Sequence, residues 1–171
     1  MNIFLNTSIF LLCSYLGYIK AYDYTCRVNN LKSFIFTLKY LEDEIIYKRN
    51  SLPEALKATA EGKSTDAAKL FLDSVCADFS HNSSELYKNW CTKIDCVLSN
   101  SSLTTEDKEI ILELGKGIGS TDIMGQSQLF SRIHKLLEEQ LGEAQKLAAT
   151  KGKMYKSLGI AVGLALVILF L

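Results

Sequence analysis

Three consecutive carboxylates, Glu42, Asp43 and Glu44, are the densest set of potential metal ligands or acid-base groups in the chain. Carboxylates can hold a hard cation or pass a proton when other ligands or a second titrating group converge on them. No partner histidine or aspartate motif accompanies these three, so the pattern reads as a solvated helix face. The run Gly115-Lys116-Gly117-Ile118-Gly119-Ser120-Thr121 resembles a phosphate loop in composition only. That loop needs Gly-x4-Gly-Lys-Ser/Thr between a strand and a helix, and here the spacing differs and no strand pattern precedes it. A turn between two helices is the better reading, with Gly115, Gly117 and Gly119 ending the first. The five cysteines contain no Cys-x-x-Cys pair. Cys91 and Cys96 would lie about 140° apart on a helix, which suits small apolar filler in a reducing compartment better than a disulfide or zinc framework. His134 has no second histidine near it, and Asn6, Asn82 and Asn100 open Asn-x-Ser tripeptides of a kind that arises by chance. No nucleophile, base and orienting residue come together, so the sequence predicts neither an enzyme nor a bound metal or cofactor.

The elements that carry these residues follow from charge and periodicity. All 19 Lys and Arg and all 19 Asp and Glu fall between Lys20 and Lys156, leaving both ends uncharged. Balanced charge argues against nucleic acid, whose binding proteins carry a basic surplus. At the C-terminus, Leu158–Leu171 is apolar or glycine throughout, behind Lys151, Lys153 and Lys156. An ionised side chain at the bilayer centre costs about 2.5–3.5 kcal/mol on insertion scales, and a spanning helix needs roughly 20 residues. With Lys156 extended to the headgroups, 154–171 reads as a short transmembrane helix. Residues 1–19 read as a second, uncleaved one, because a basic leader and a small-x-small site are missing. Residues 20–153 form the water-facing domain. Basic residues close to both anchors place that domain in the cytosol.

Within it, Leu31, Phe34, Ile35, Leu38, Leu41, Ile45 and Ile46 recur at spacings of three and four, predicting an amphipathic helix over 29–48 with Glu44 and Lys48 paired on its exposed face. Pro53 opens a short helix to Ala60. Ser64 or Thr65 caps the next, which carries Ala68, Phe71, Leu72, Val75, Cys76 and Phe79, and His81–Ser84 breaks the pattern. Leu86, Trp90, Ile94 and Val97 lie a turn apart, with Trp90 as the core anchor. Thr104 or Thr105 begins a helix through Leu114. Asp122 caps the longest one, which runs through Leu129, Ile133 and Leu137 toward the C-terminal anchor. The expected fold is all-α: an antiparallel helical bundle flanked by N- and C-terminal transmembrane helices.

Several patterns together resemble the stage III sporulation protein AB family over nearly the whole chain. They are Gly17 and Arg27; Leu38-x-x-Leu41-Glu42-x-Glu44-Ile45-x-Tyr47; Leu52-Pro53-Glu54-Ala55-Leu56; Leu114-Gly115-x-x-Ile118-Gly119-x-x-Asp122-x-x-x-Gln126; and Lys153-Met154-x-Lys156-Ser157-Leu158-Gly159. Ser51 stands where many relatives have proline, and the early lysine common among them is missing. The resemblance implies a multi-pass protein of the mother-cell membrane around the forespore, in endospore-forming bacteria. There it would serve a secretion-like channel complex with the other stage III sporulation proteins. It also implies likeness to the platform protein of type II secretion and type IV pilus machines, and contact with the cytosolic AA ATPase. Candidate partner residues are Glu42, Asp43 and Glu44 on one helix and Lys108, Glu109 and Glu113 on another. Gly159 and Gly163 form a small-residue pair suited to helix packing in the membrane, against 1–19 or in a homo-oligomer. The competing reading is a membrane-tethered sensor or enzyme domain that binds a small ligand in a polar pocket.

Overall fold

The computed structural model describes residues 2–62, 66–79, 86–99 and 101–169. The proposed Ser64 or Thr65 cap, the His81–Ser84 break and the Asn82 and Asn100 tripeptides lie outside them. Among the described residues the secondary structure is helical throughout: α1 (Asn2–Glu42) with a π-helical turn (Asp43–Tyr47), α2 (Leu52–Glu61), α3 (Asp66–Phe79), α4 (Leu86–Leu98), α5 (Thr105–Gly117), α6 (Ile123–Leu147) with a second π-turn (Ala148–Gly152), and α7 (Lys153–Leu169). The apolar N-terminal segment and the first amphipathic stretch are one helix. No proline or glycine lies between Gly17 and Pro53 to break it. The chain divides into two compact units, one of residues 29–141 and one of 1–28 with 142–171.

In the 29–141 unit, caps set the helix limits as the sequence predicts. Ser51 donates to Glu54 Oε2 through its amide (3.2 Å) and its hydroxyl (2.8 Å), and Pro53 occupies the first turn of α2. Thr104 and Asp107 exchange bonds, Thr104 N to Asp107 Oδ2 at 2.9 Å and Asp107 N to Thr104 Oγ1 at 3.3 Å. Asp122 Oδ1 accepts from Gly125 N at 3.0 Å and starts α6.

α3 packs against α2 and α4, and α4 against α5. The core runs through an aromatic chain, Phe34 to Phe71 (centroids 6.2 Å apart) and Phe71 edge-on to Trp90 (5.0 Å). Trp90 is buried, and its indole N–H donates to Ile111 O at 2.9 Å, so the one polar atom of the ring is satisfied. Phe130, Ile133 and Leu137 close the core from α6; Phe130 is fully buried, although the expected stripe passes it by.

Gly115 does not end α5. It lies inside the helix, where an added Cβ would stand 2.3 Å from Trp90 Cδ1, so the missing side chain is the notch that seats the indole. Gly119 is the true turn residue, with φ +75°, and Gly117 lies under Leu129. Gln126 ties the turn down from inside: it is buried, and its Nε2 donates to Gly117 O and Thr121 Oγ1, both at 3.0 Å.

In the other unit, α1 and α7 run antiparallel, because contacts descend along α7 as they climb along α1. Phe10 meets Gly163, Gly17 meets Gly159 and the Tyr155 carbonyl, and Tyr24 stacks on Tyr155 at 6.0 Å. A Cβ on Gly17 would lie 2.9 Å from Gly159 Cα, and one on Gly163 2.9 Å from Phe10 Cδ2. The two backbones come this close only because both helices offer glycine.

Gly115→Ala should lower the unfolding free energy by about 1–3 kcal/mol, since the methyl group overpacks against an indole that cannot retreat. Gly142→Ala, at a helical position with no neighbour within 4 Å, should instead leave stability unchanged or raise it by up to about 1 kcal/mol. Denaturant unfolding of the purified protein in detergent, followed by circular dichroism, separates the two.

Candidate functional site

The acidic group Glu42–Glu44 sits where α1 gives way to its π-turn, and the three side chains go to three different places. Glu42 turns toward α6, its Oε2 3.3 Å from His134 Nε2, with both side chains mostly covered. Asp43 is exposed. Glu44 departs from the expected exposed face: it is 3% exposed and accepts from Lys48 Nζ and from Asn50 Nδ2, the latter at 2.7 Å. The expected Glu44–Lys48 pair is therefore present, but its carboxylate faces inward. The Lys48 ammonium, foremost, and the Asn50 amide hold this carboxyl below its usual range against the opposing effect of burial. Asn50 N also donates to Glu44 O at 3.1 Å, and Arg49 adopts φ 56°, the left-handed conformation that ends the helix. Ile45 and Ile46, expected in the core, are only half-buried. A π-turn adds a residue per turn and so rotates the side chains after it away from an α-helical stripe.

On α5, Glu109 is exposed and Lys108 half-buried, while Glu113 Oε1 is paired with Arg132 Nη2 at 2.9 Å. Glu42 and Glu113 thus both reach α6, at His134 and Arg132. Two positions on a helix differ by about 200°, so the acidic groups of α1 and α5 approach α6 from nearly opposite sides and do not merge into one patch. No set of three metal-ligating side chains occurs among the described residues.

Among the described residues, the aromatic core of the 29–141 unit leaves little free space. Amid Phe34, Leu38, Phe71, Trp90 and Leu114 the free volume is about 10 Å³, close to the least that admits one water. A larger surface depression of about 430 Å³ lies at Pro53, Leu56 and Lys57 of α2 and Asp73 and Cys76 of α3. Burial, followed by the nearby Asp73 and Glu61 carboxylates, pushes Cys76 up to about 11.

The other unit exposes many large apolar side chains. Leu158, Ile160, Val162, Leu164, Ile168 and Leu169 of α7 are exposed, as are Phe4, Leu11, Leu12 and Leu16 of α1. Among the described residues one helix, Ile123–Leu169, is long and apolar enough to cross a membrane, and only 11% of its most apolar window is buried. A core helix of a water-soluble domain would be covered. Gly159 and Gly163 face α1, as the helix-packing pattern allows. Gly17, which completes that contact, enters the sequence reading only through the family pattern, since no Gly-x3-Gly repeat marks it.

A helical bundle with an apolar core, continuous in chain with a helix able to cross a membrane, defines a membrane-associated all-α protein. The chain belongs to the Stage III sporulation protein AB family, whose model matches residues 2–171. It is similar to Stage III sporulation protein AB of Bacillus subtilis (strain 168), with 28% identity over 156 residues, covering 91% of this chain and 90% of that protein. A solved structure of Stage III sporulation protein AB shares the fold at a TM-score of 0.64 and 19% identity, covering 72% of this chain and 96% of the other. Membership makes the chain a non-enzymatic sporulation protein of the channel between mother cell and forespore, required for endospore development.

Glu44→Gln should destabilise the protein by on the order of 1 kcal/mol at neutral pH, the worth of a charged hydrogen bond discounted for the exposure of Lys48. The folded carboxyl titrates below its usual value of 4.5, so its contribution is full above that pH and is lost as pH falls through the lower folded value. The stability gap between the parent and Glu44→Gln should therefore narrow as pH drops below 4.5. Chemical unfolding at a series of pH values measures that gap.

Proposed function

We propose that this protein is the platform subunit of its channel, a cytosolic helical bundle held at the mother-cell membrane by transmembrane helices at 1–19 and 154–171 and engaging the AA ATPase. The observation that carries the reading is the pairing of α1 with α7 through Gly17, Gly159 and Gly163, with the apolar side chains of both helices turned outward. Side chains so placed are stable in hydrocarbon and costly in water. Lys20, Lys151, Lys153 and Lys156 follow or precede the uncharged ends, which supports a cytosolic bundle. The closely filled bundle core favours a scaffold over the small-ligand sensor, which needs a cavity of its own. The likeness to type II secretion and type IV pilus platforms that the family resemblance implies would bring an ATPase contact, for which Asp43 and Glu109 are the exposed carboxylates of the two candidate sets. Glu44 is engaged internally and Glu113 is held by Arg132. Because the glycines of α7 are filled by α1, a homo-oligomer would form through other surfaces.

Protease added to intact spheroplasts should leave residues 20–153 uncut and digest them once the membrane is opened; cutting in intact spheroplasts would place the bundle outside. Asp43→Lys and Glu109→Lys, separately and together, should weaken capture of the purified ATPase by roughly tenfold, about 1.4 kcal/mol, with the helical circular-dichroism signal unchanged. Undiminished capture by the double variant would exclude these carboxylates as the contact.

A further inference from the structure

Beside the glycine contact, the 1–28 and 142–171 unit carries an open groove of about 620 Å³. Its walls are Leu11, Leu12 and Tyr15 of α1 and Ile160 of α7, and Lys156 and Tyr18 stand at one end. The Lys156 ammonium lies 5.3 Å from the centre of the Tyr18 ring, and among the described residues no carboxylate comes within ion-pair distance of it. Ser14 also lines the groove, and its hydroxyl oxygen is buried with no hydrogen-bond partner. Tyr18 stacks on Tyr22 at 6.5 Å and Tyr24 on Tyr155 at 6.0 Å, so tyrosines from both helices gather at the level of Lys156. Such a girdle marks the boundary between hydrocarbon and headgroups, where amphipathic rings are most stable.

We propose that this groove is a binding site for one anionic phospholipid, with its phosphate on Lys156 and an acyl chain along Leu11, Leu12, Tyr15 and Ile160. The site rests on the reading that α1 and α7 both lie in the bilayer. The chemistry of the walls selects the occupant: a long apolar body must end in an anion at the interface, beside a cation with no carboxylate at ion-pair distance among the described residues. A second copy of the chain fits less well. Residues 1–19 and 157–171 contain no acid, and the nearby Asp23 sits 4.0 Å from Lys20, so a copy would bring its own cation and no free anion to this level. The volume is within the range of about 300–1,000 Å³ that single ligands fill.

The test uses full-length protein reconstituted into nanodiscs of equal phosphatidylglycerol and phosphatidylcholine, with retained lipid read by native mass spectrometry. The parent should retain one phosphatidylglycerol in preference to phosphatidylcholine. Lys156→Gln should cut that retention by about tenfold or more. Lys153→Gln, exposed and outside the groove, should cost no more than the about fivefold that any basic residue near an anionic surface contributes. Leu12→Trp, which fills the groove and leaves Lys156 in place, should also abolish retention. Equal losses for Lys153→Gln and Lys156→Gln, retention unaffected by Leu12→Trp, or equal retention of both lipids would overturn the site. Displacement of the lipid by inorganic phosphate would overturn it as well, because the headgroup alone would then suffice. Carbonate extraction of the parent from membranes separates the two readings: release would overturn the spanning helices and the site with them, whereas protein that stays in the membrane without selective lipid overturns the site alone.

Discussion

The bundle depends on one steric fit, the indole of Trp90 lying on the bare backbone of Gly115. Any side chain at Gly115 would occupy the ring's place, so α4 and α5 can approach only as far as this pair allows. The fit also brings the indole N–H onto the Ile111 carbonyl, which removes the cost of burying a donor in an apolar core. Phe71 then packs edge-on against Trp90 and Phe34 against Phe71, carrying the constraint from α4 and α5 through α3 to α1. With so little space left inside, changes at one ring are transmitted to the others.

Much of this was legible because capping and periodicity are local properties. Pro53, Thr104 and Asp122 each mark a helix start by a donor or acceptor requirement satisfied within a few residues. Trp90 was legible as a core anchor by its size and its place on an apolar stripe. Its partner was not: glycine in sequence signals a turn, and only the packing across helices distinguishes Gly115, a notch, from Gly119, a turn with positive φ.

Glu44 was misplaced for a related reason. A glutamate four residues before a lysine is the mark of an exposed helical pair, and an α-helical period assigns it outward. The π-turn changes that period at Asp43, and Asn50 and Lys48 supply enough donors to hold the carboxylate inside. Neither the period change nor a donor from beyond the helix end is written in the apolar stripe. The three acids disperse, Glu42 to His134, Asp43 to solvent and Glu44 inward to Lys48 and Asn50, as consecutive positions on a helix point in different directions.

The unit of residues 1–28 and 142–171 shows the opposite relation between sequence and structure. Its apolar character is evident from the missing charges alone, but the direction in which its glycines point is not. A Gly-x3-Gly pair at the end of a chain serves equally well for self-association or for packing within the chain, and sequence gives no preference. In the structure Gly159 and Gly163 are occupied by Gly17, Cys13 and Phe10 of α1, so the outward surfaces of both helices are built from large apolar residues and tyrosines. Close backbone packing is thereby spent on joining the two ends of one chain. What remains for neighbours is a surface of side chains whose chemistry changes with depth, from Leu and Ile to Tyr and Lys. Such a surface suits the boundary between hydrocarbon and headgroups, where amphipathic rings and snorkelling ammonium groups are most stable.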